Sequence, residues 1–277
     1  MEVIVARAYG FCFGVRDAIA DTESVADPAN ATIYGEIVHN ERVRARIAER
    51  GFRVMDETDR AVPDTPVVLV TPHGIGDSDR KRLEAAGRTL VDTTCPLVKV
   101  AHDAARELAA EGRFVVVVGR RDHVEVKGLV QDLERFAVVA DASEVGAIDA
   151  DRIGVLSQTT TAEPVFDAAV RAVCDRNPGR DVRAIDTICK PTKDRQSAMA
   201  DLLPRVEAVV VVGGKGSRNS RELVRAAEEK GIRATLVQGA ADLDPSFFRG
   251  ISRVGLTAGT STPKEALDEV HRALLAL

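Results

Sequence analysis

The stretch LVDTTCPLVKV at 90–100 carries an apolar strand into a short polar turn ending on Cys95, with Pro96 where a helix begins. Nearly the same turn returns at 184–194, AIDTICKPTKD, and ends on Cys189. A chain with only four cysteines places two of them in near-copies of one strand-to-helix junction. Repetition of this kind restricts the fold more than any other feature, because each copy must be one supersecondary unit built in the same way.

From Cys95 the chain runs helix 96–112, strand FVVVVG, a loop with His123, helix 126–134, strand IGVLS, the turn Gln158-Thr159-Thr160 and a helix from Pro164. From Cys189 it runs a helix near 194–206, strand AVVVVGG, loop KGSRNS, helix RELVRAAEEKG, strand VGLTAG, the turn Thr260-Ser261-Thr262 and helix PKEALDEVHRALL. The N-terminal part reads alike: strand EVIVARA, Cys12, helix 14–25, strand TIYGEIV, His39, helix 41–51, strand VVLVT, the turn Pro72-His73-Gly74 and helix 77–87. Cys12 to His39 is 27 positions, Cys95 to His123 is 28, and Cys189 to Ser217 is 28. Three α/β units are expected, at 1–94, 95–188 and 189–277, each with a largely parallel sheet. Ligands of such sheets bind at the carboxyl ends of the strands, where all these turns fall. If the units pack about a common axis, Cys12, Cys95 and Cys189 meet at one point.

Composition excludes several classes. A net charge of −5 argues against a nucleic-acid surface, and no apolar run approaches the roughly 20 residues that span a bilayer. The start MEVIVARAYGFCFGV has no basic flank, apolar core and cleavage site, so no secretory signal and a cytoplasmic location are expected. Four cysteines then do not imply a disulfide framework. Cys174 lies among Val165, Ala169 and Val173 at helical spacing and reads as helix core or surface.

The other three cysteines lack the C-x-x-C spacing of structural zinc or thioredoxin-like sites. His123-Val124-Glu125 matches half of the zinc deaminase signature, but no P-C-x-x-C accompanies it. An iron–sulfur cluster tolerates scattered thiolates and fits better. A four-iron cluster with three protein ligands keeps one iron open for substrate. The loop GGKGSRN lacks both the last glycine of G-x-G-x-x-G and the G-K-[ST] of a P-loop. His102 and His271 lie on helical segments, and RVRARIAER at 42–50 reads as a solvated helix face.

In order along the chain stand GFCFGV, VHN, HG, DTTCPLV, HVEV, SQTT, GSRNS and TAGTSTP. As an ordered set they resemble the 4-hydroxy-3-methylbut-2-enyl diphosphate reductase (LytB) family over essentially the whole length. The resemblance implies an α/β trefoil of three pseudo-symmetric units around a [4Fe-4S] cluster held by Cys12, Cys95 and Cys189. It implies reductive removal of the allylic hydroxyl of the diphosphate substrate, with ferredoxin or flavodoxin as electron donor. Glu125, His123 and Thr159 would be catalytic, and His39, His73, His123, Thr159, Thr160, Ser217, Arg218, Asn219 and Ser261 would bind substrate. A diphosphate suits donors at helix N-termini; taken singly, Ser217, Asn219 and Ser261 are also ordinary helix-capping types.

The chain departs from the family at Pro72, at Val124 in place of proline, at Arg218 in place of a serine, and at Lys190 and Lys193 in a turn that is usually neutral. Arg218 offers a bidentate grip on diphosphate, or reshapes the pocket for another anionic allylic alcohol. A non-catalytic iron–sulfur redox sensor is the alternative of a different class, and Glu125 speaks against it.

Overall fold

Runs such as FVVVV and AVVVV have no polar alternation, the pattern of parallel strands covered on both faces. In the computed structural model, which describes residues 1–277 except the side chain of Arg218, they are the strands β6 (Phe114–Val118) and β10 (Ala208–Val212). Twelve strands form three parallel sheets of four. One holds β2 (Ala31–Tyr34), β3 (Arg53–Val54), β4 (Val67–Val70) and β5 (Thr89–Asp92) in the order β3-β2-β4-β5. A second joins β6 to β7 (Phe136–Val139), β8 (Arg152–Ser157) and β9 (Asp181–Ala184) in the order β7-β6-β8-β9. The third takes β1 (Glu2–Val5), β12 (Arg253–Ala258), β10 and β11 (Arg233–Val237) in the order β1-β12-β10-β11.

The strand order is the same in all three, with the strand that leads to a cysteine at one edge. This corrects the expected boundary of the first unit. β1 pairs along β12 from Glu2–Arg253 to Val5–Leu256, so the sheet of residues 31–92 is built without it. Each sheet also gains an edge strand that periodicity did not predict: β3, β7 and β11. β3 is two exposed residues and β11 is interrupted by Arg233 and Thr235, so neither shows a continuous apolar run, whereas β7 does, as FAVV, but the repeat read from the sequence runs from helix 126–134 straight to IGVLS. The expected strand 32–38 stops at Tyr34 because Gly35 adopts φ 111°, a turn conformation that β-branched residues avoid.

Nine helices accompany the sheets: α1 (Phe13–Glu23), α2 (Glu41–Ala48), α3 (Asp77–Ala85), α4 (Pro96–Ala110), α5 (Val124–Val130), α6 (Glu163–Arg176), α7 (Lys190–Leu202), α8 (Arg218–Glu228) and α9 (Lys264–Leu275). None is long and apolar enough to cross a membrane. α7 starts four residues earlier than expected, and α5 ends sooner. α4 shows why these segments are helical: Pro96 opens it, and Val98, Ala101, Ala104, Ala105 and Leu108 form one buried stripe. Leu108 packs on β8 at Gly154, where a Cβ would lie 2.8 Å from its Cδ2. Leu202 of α7 meets Gly255 of β12 at the same separation, so two sheets admit their helix by the same device.

The chain divides into two compact units. One comprises Met1–Arg16, Val38–Ala45 and Lys190–Leu277 and contains the β1-β12-β10-β11 sheet. The other comprises Asp17–Ile37 and Arg46–Cys189 and contains the remaining two sheets.

Candidate active site

The near-copied turns are copies in atomic detail. Asp92 Oδ1 accepts from Thr94 N at 2.9 Å, and Asp186 Oδ1 accepts from Ile188 N at 2.9 Å. Thr93 Oγ1 donates to Val70 O at 2.7 Å, and Thr187 Oγ1 to Ser157 O at 2.5 Å. Each Asp-Thr pair therefore closes the turn on itself and anchors it to the end of the neighbouring strand. The cysteine amides follow: Cys95 N donates to Pro72 O at 3.1 Å and Cys189 N to Thr159 O at 2.9 Å. Cys12 has no Asp-Thr before it, yet its amide donates to Thr260 O at 3.3 Å, the same tether in the third sheet. There the buried Arg195 takes over the anchoring, donating to Pro191 O at 2.7 Å and to Gly10 O. None of these three half-buried cysteines is in a disulfide, whereas Cys174 is exposed. Burial pushes the Asp92 carboxyl up, but hydrogen bonds from Thr94 and the cations Arg80 and Lys99 outweigh it and hold the group at about 2.

In the unit that contains Cys95 and Cys189, the predicted residues form one connected series. Pro72, which tethers Cys95, precedes His73, whose ring meets that of His123 edge-on with centroids 5.7 Å apart. His123 caps α5, its Nδ1 accepting from Glu125 N at 3.1 Å. That bond leaves Nε2 to carry the proton of the neutral ring and makes it the donor. Glu125 is 2% exposed, and its carboxylate accepts from Thr159 N at 2.6 Å and Thr159 Oγ1 at 3.0 Å. Thr159 O closes the series on Cys189. Thr160 Oγ1 is buried with no hydrogen-bond partner among the described residues.

The other unit gathers Cys12, His39, Ser217, Asn219 and Ser261 in the same manner. Ser261 follows Thr260, the tether of Cys12. Ser217 caps α8, its Oγ accepting from Ser220 Oγ at 3.1 Å, which leaves its own proton to donate. A Cβ on Gly259 would lie 3.6 Å from Asn219 Nδ2, and one on Gly214 2.4 Å from His39 O, so these turns touch. Among the described residues, Asn219 Nδ2 and Ser261 Oγ are buried without a hydrogen-bond partner. The side chain of Arg218, an expected diphosphate ligand, lies outside the described residues.

The structural register of the repeat differs by one residue from the one spacing suggested. Asn40 caps α2, Oδ1 accepting from Arg42 N at 3.1 Å and Val43 N at 3.2 Å. It therefore matches the caps His123 and Ser217, and the cysteine-to-cap distance becomes 28 in every unit. His39 stands just before the cap, where His123 and Ser217 are themselves caps. By the same register Glu125 corresponds to Asn219, and His73 to Thr160 and Ser261. Lys190, one of the departures, is absorbed by an ion pair with Asp194 at 2.6 Å on the surface of α7.

Three parallel sheets that each lead an edge strand into a tethered cysteine, with capped helices and, among the described residues, unpartnered buried donors in the neighbouring turns, define an α/β protein of one thrice-repeated plan. The LytB protein family matches residues 3–275, and the chain belongs to that family. The 4-hydroxy-3-methylbut-2-enyl diphosphate reductase of Anaeromyxobacter sp. (strain Fw109-5) is 39% identical over 98% of this chain and 95% of its own. A solved (E)-4-hydroxy-3-methyl-but-2-enyl diphosphate reductase, described as the terminal enzyme of the non-mevalonate pathway, is 32% identical with TM-score 0.69 over the full length of both chains. The solved reductase from Plasmodium falciparum shares the fold, with TM-score 0.90 at 23% identity over 99% of this chain and 87% of that one.

Proposed function

We propose that the protein is a 4-hydroxy-3-methylbut-2-enyl diphosphate reductase that removes the allylic hydroxyl as water, with two electrons and two protons, to give isopentenyl and dimethylallyl diphosphate. The observation that carries this is the uniform tethering of Cys12, Cys95 and Cys189, each by its amide to the turn that follows the adjacent strand. LytB proteins use an iron–sulfur cluster, and the donor set here fits one: three half-buried thiols outside any disulfide, with no C-x-x-C pair among them. Cys12, Cys95 and Cys189 would hold a [4Fe-4S] cluster. When bound, it would supply the two electrons, received from ferredoxin or flavodoxin, and Lewis-acid polarisation of the hydroxyl.

The chain's own residues supply the rest. A diphosphate carries two to three negative charges and needs several donors. His39, His73, Ser217, Asn219 and Ser261 provide them, Ser217 through its free proton and Asn219 and Ser261 through groups unpartnered without a ligand. Leaving hydroxide needs a proton, and Glu125 is the buried acid, bonded to Thr159 Oγ1. That hydroxyl passes its own proton on as it accepts one from the carboxyl. His123 donates from Nε2 and steadies the substrate.

The test is turnover by anaerobically purified, cluster-loaded protein with a strong one-electron donor and the hydroxylated diphosphate. Glu125→Gln should lower kcat by about 10² to 10⁴ with the cluster's absorbance retained. Absence of turnover by the intact protein, or full activity in Glu125→Gln, would reject the function or the acid.

A further inference from the structure

We propose that Glu57, which lies in none of the recognisable sequence signatures, is the positioning residue of His73: its carboxylate keeps a proton on Nδ1 and presents the ring as a cationic clamp for the substrate's diphosphate. This rests on the reductase function proposed above. Glu57 Oε1 lies 3.8 Å from His73 Nδ1, an ion-pair separation, with the side chains 26% and 16% exposed. An opposite charge at that distance in a largely dry setting favours the imidazolium.

Its neighbour His123 is wired the other way. There Nδ1 accepts a hydrogen bond from the Glu125 amide, so that nitrogen carries no proton and the neutral ring is favoured. The two rings, in edge contact, thus hold different protonation states by construction. A neutral donor suits the reacting end of a substrate, and a cation suits its phosphates.

The loop that carries Glu57 is built to hold it still. Asp56 Oδ1 accepts from Thr58 N at 2.8 Å, and Asp59 Oδ1 from Ala61 N at 2.9 Å, so the turn bonds are made by the flanking acids. Met55 N donates to Ile33 O at 3.0 Å, and the wholly buried Tyr34 donates its hydroxyl to Arg60 O at 2.9 Å, fastening both ends of the loop to β2. Arg60 also lies over the Tyr34 ring at 5.0 Å. A Cβ on Gly35 would sit 3.7 Å from Glu57 Cγ, so the bend after β2 sets the depth of the side chain.

Glu57→Gln keeps the shape and removes the charge; Glu57→Asp keeps the charge on a shorter stem. In the cluster-loaded enzyme, Glu57→Gln should raise KM and the inhibition constant of inorganic pyrophosphate about five- to twentyfold, with kcat within about twofold. Glu57→Asp should recover part of that loss. In protein labelled with ¹⁵N-histidine, the His73 Nδ1 signal, identified by its disappearance in His73→Asn, should show less protonation in Glu57→Gln. Unchanged KM and pyrophosphate inhibition together with an unchanged His73 signal would overturn the proposal, as would a fall in kcat alone. If the intact chain shows no turnover while pyrophosphate binding and the His73 signal still respond to Glu57→Gln, the reductase function falls and the Glu57–His73 pairing stands.

Discussion

Glu125 and Asn219 occupy matching places, each two residues past the cap of a helix at the end of a parallel strand, yet their surroundings are opposite. Both carboxylate oxygens of Glu125 are engaged by Thr159, and His123 is locked through Nδ1. Asn219 Nδ2 and, in the adjoining turn, Ser261 Oγ are buried with no partner in their own unit or elsewhere among the described residues. An orphaned buried donor costs about 1–3 kcal/mol of stability. The scaffold position is the same; one copy is completed internally around Glu125, and the other is left with unpartnered donors that, under the proposed function, the diphosphate completes.

Truncating the incomplete copy is the sharpest way to break this comparison. Asn219→Ala should raise KM about ten- to a hundredfold, the cost of losing a hydrogen bond to a charged group, while the thermal midpoint stays level or rises because an unpaired donor has gone. A large fall in thermal midpoint would show that Asn219 serves the fold. Ser261→Ala should act in the same sense with a smaller rise in KM. Glu125, whose oxygens are occupied, should show its effect in kcat instead.

The cysteine turns extend the contrast. Those before Cys95 and Cys189 are closed by Asp92 and Asp186, whereas the turn before Cys12 depends on Arg195. Asp92 is held at about 2 when folded, below its ordinary 3.8, so its contribution is fully present above pH 3.8 and disappears as pH falls through 2. Asp92→Asn should therefore cost on the order of 2 kcal/mol at pH 7, a gap that closes between pH 4 and pH 2 in a denaturant series. A constant gap across that range would assign the loss to shape rather than charge.

Much of this was legible in the chain itself. DTTC and DTIC announce their geometry because Asp and Thr make local bonds to residues two positions away or to the next strand end. The ordered signatures bring His123, Glu125 and Thr159 forward for the same reason: they stand at turns. What stayed hidden depends on tertiary pairing. β1 follows no local signal that sends it to β12, and β3 is two exposed residues long. The cap role of Asn40 was masked by the more conspicuous His39 beside it. Arg195 and Glu57 act on residues far away in sequence, Gly10 and His73, and nothing in KDRQ or MDET marks them.

The proposed function requires one inorganic cluster shared by three cysteines far apart in sequence. Iron and sulfide content, with the electron paramagnetic resonance spectrum of the reduced protein, should be measured on the anaerobic chain and on Cys12→Ser, Cys95→Ser and Cys189→Ser. Four irons and four sulfides per chain, changed in spectrum by the hydroxylated diphosphate and lost or degraded in every one of the three variants, is the predicted result. A full, spectroscopically unaltered cluster in any of those variants, or an iron-free chain that is nevertheless active, would contradict it.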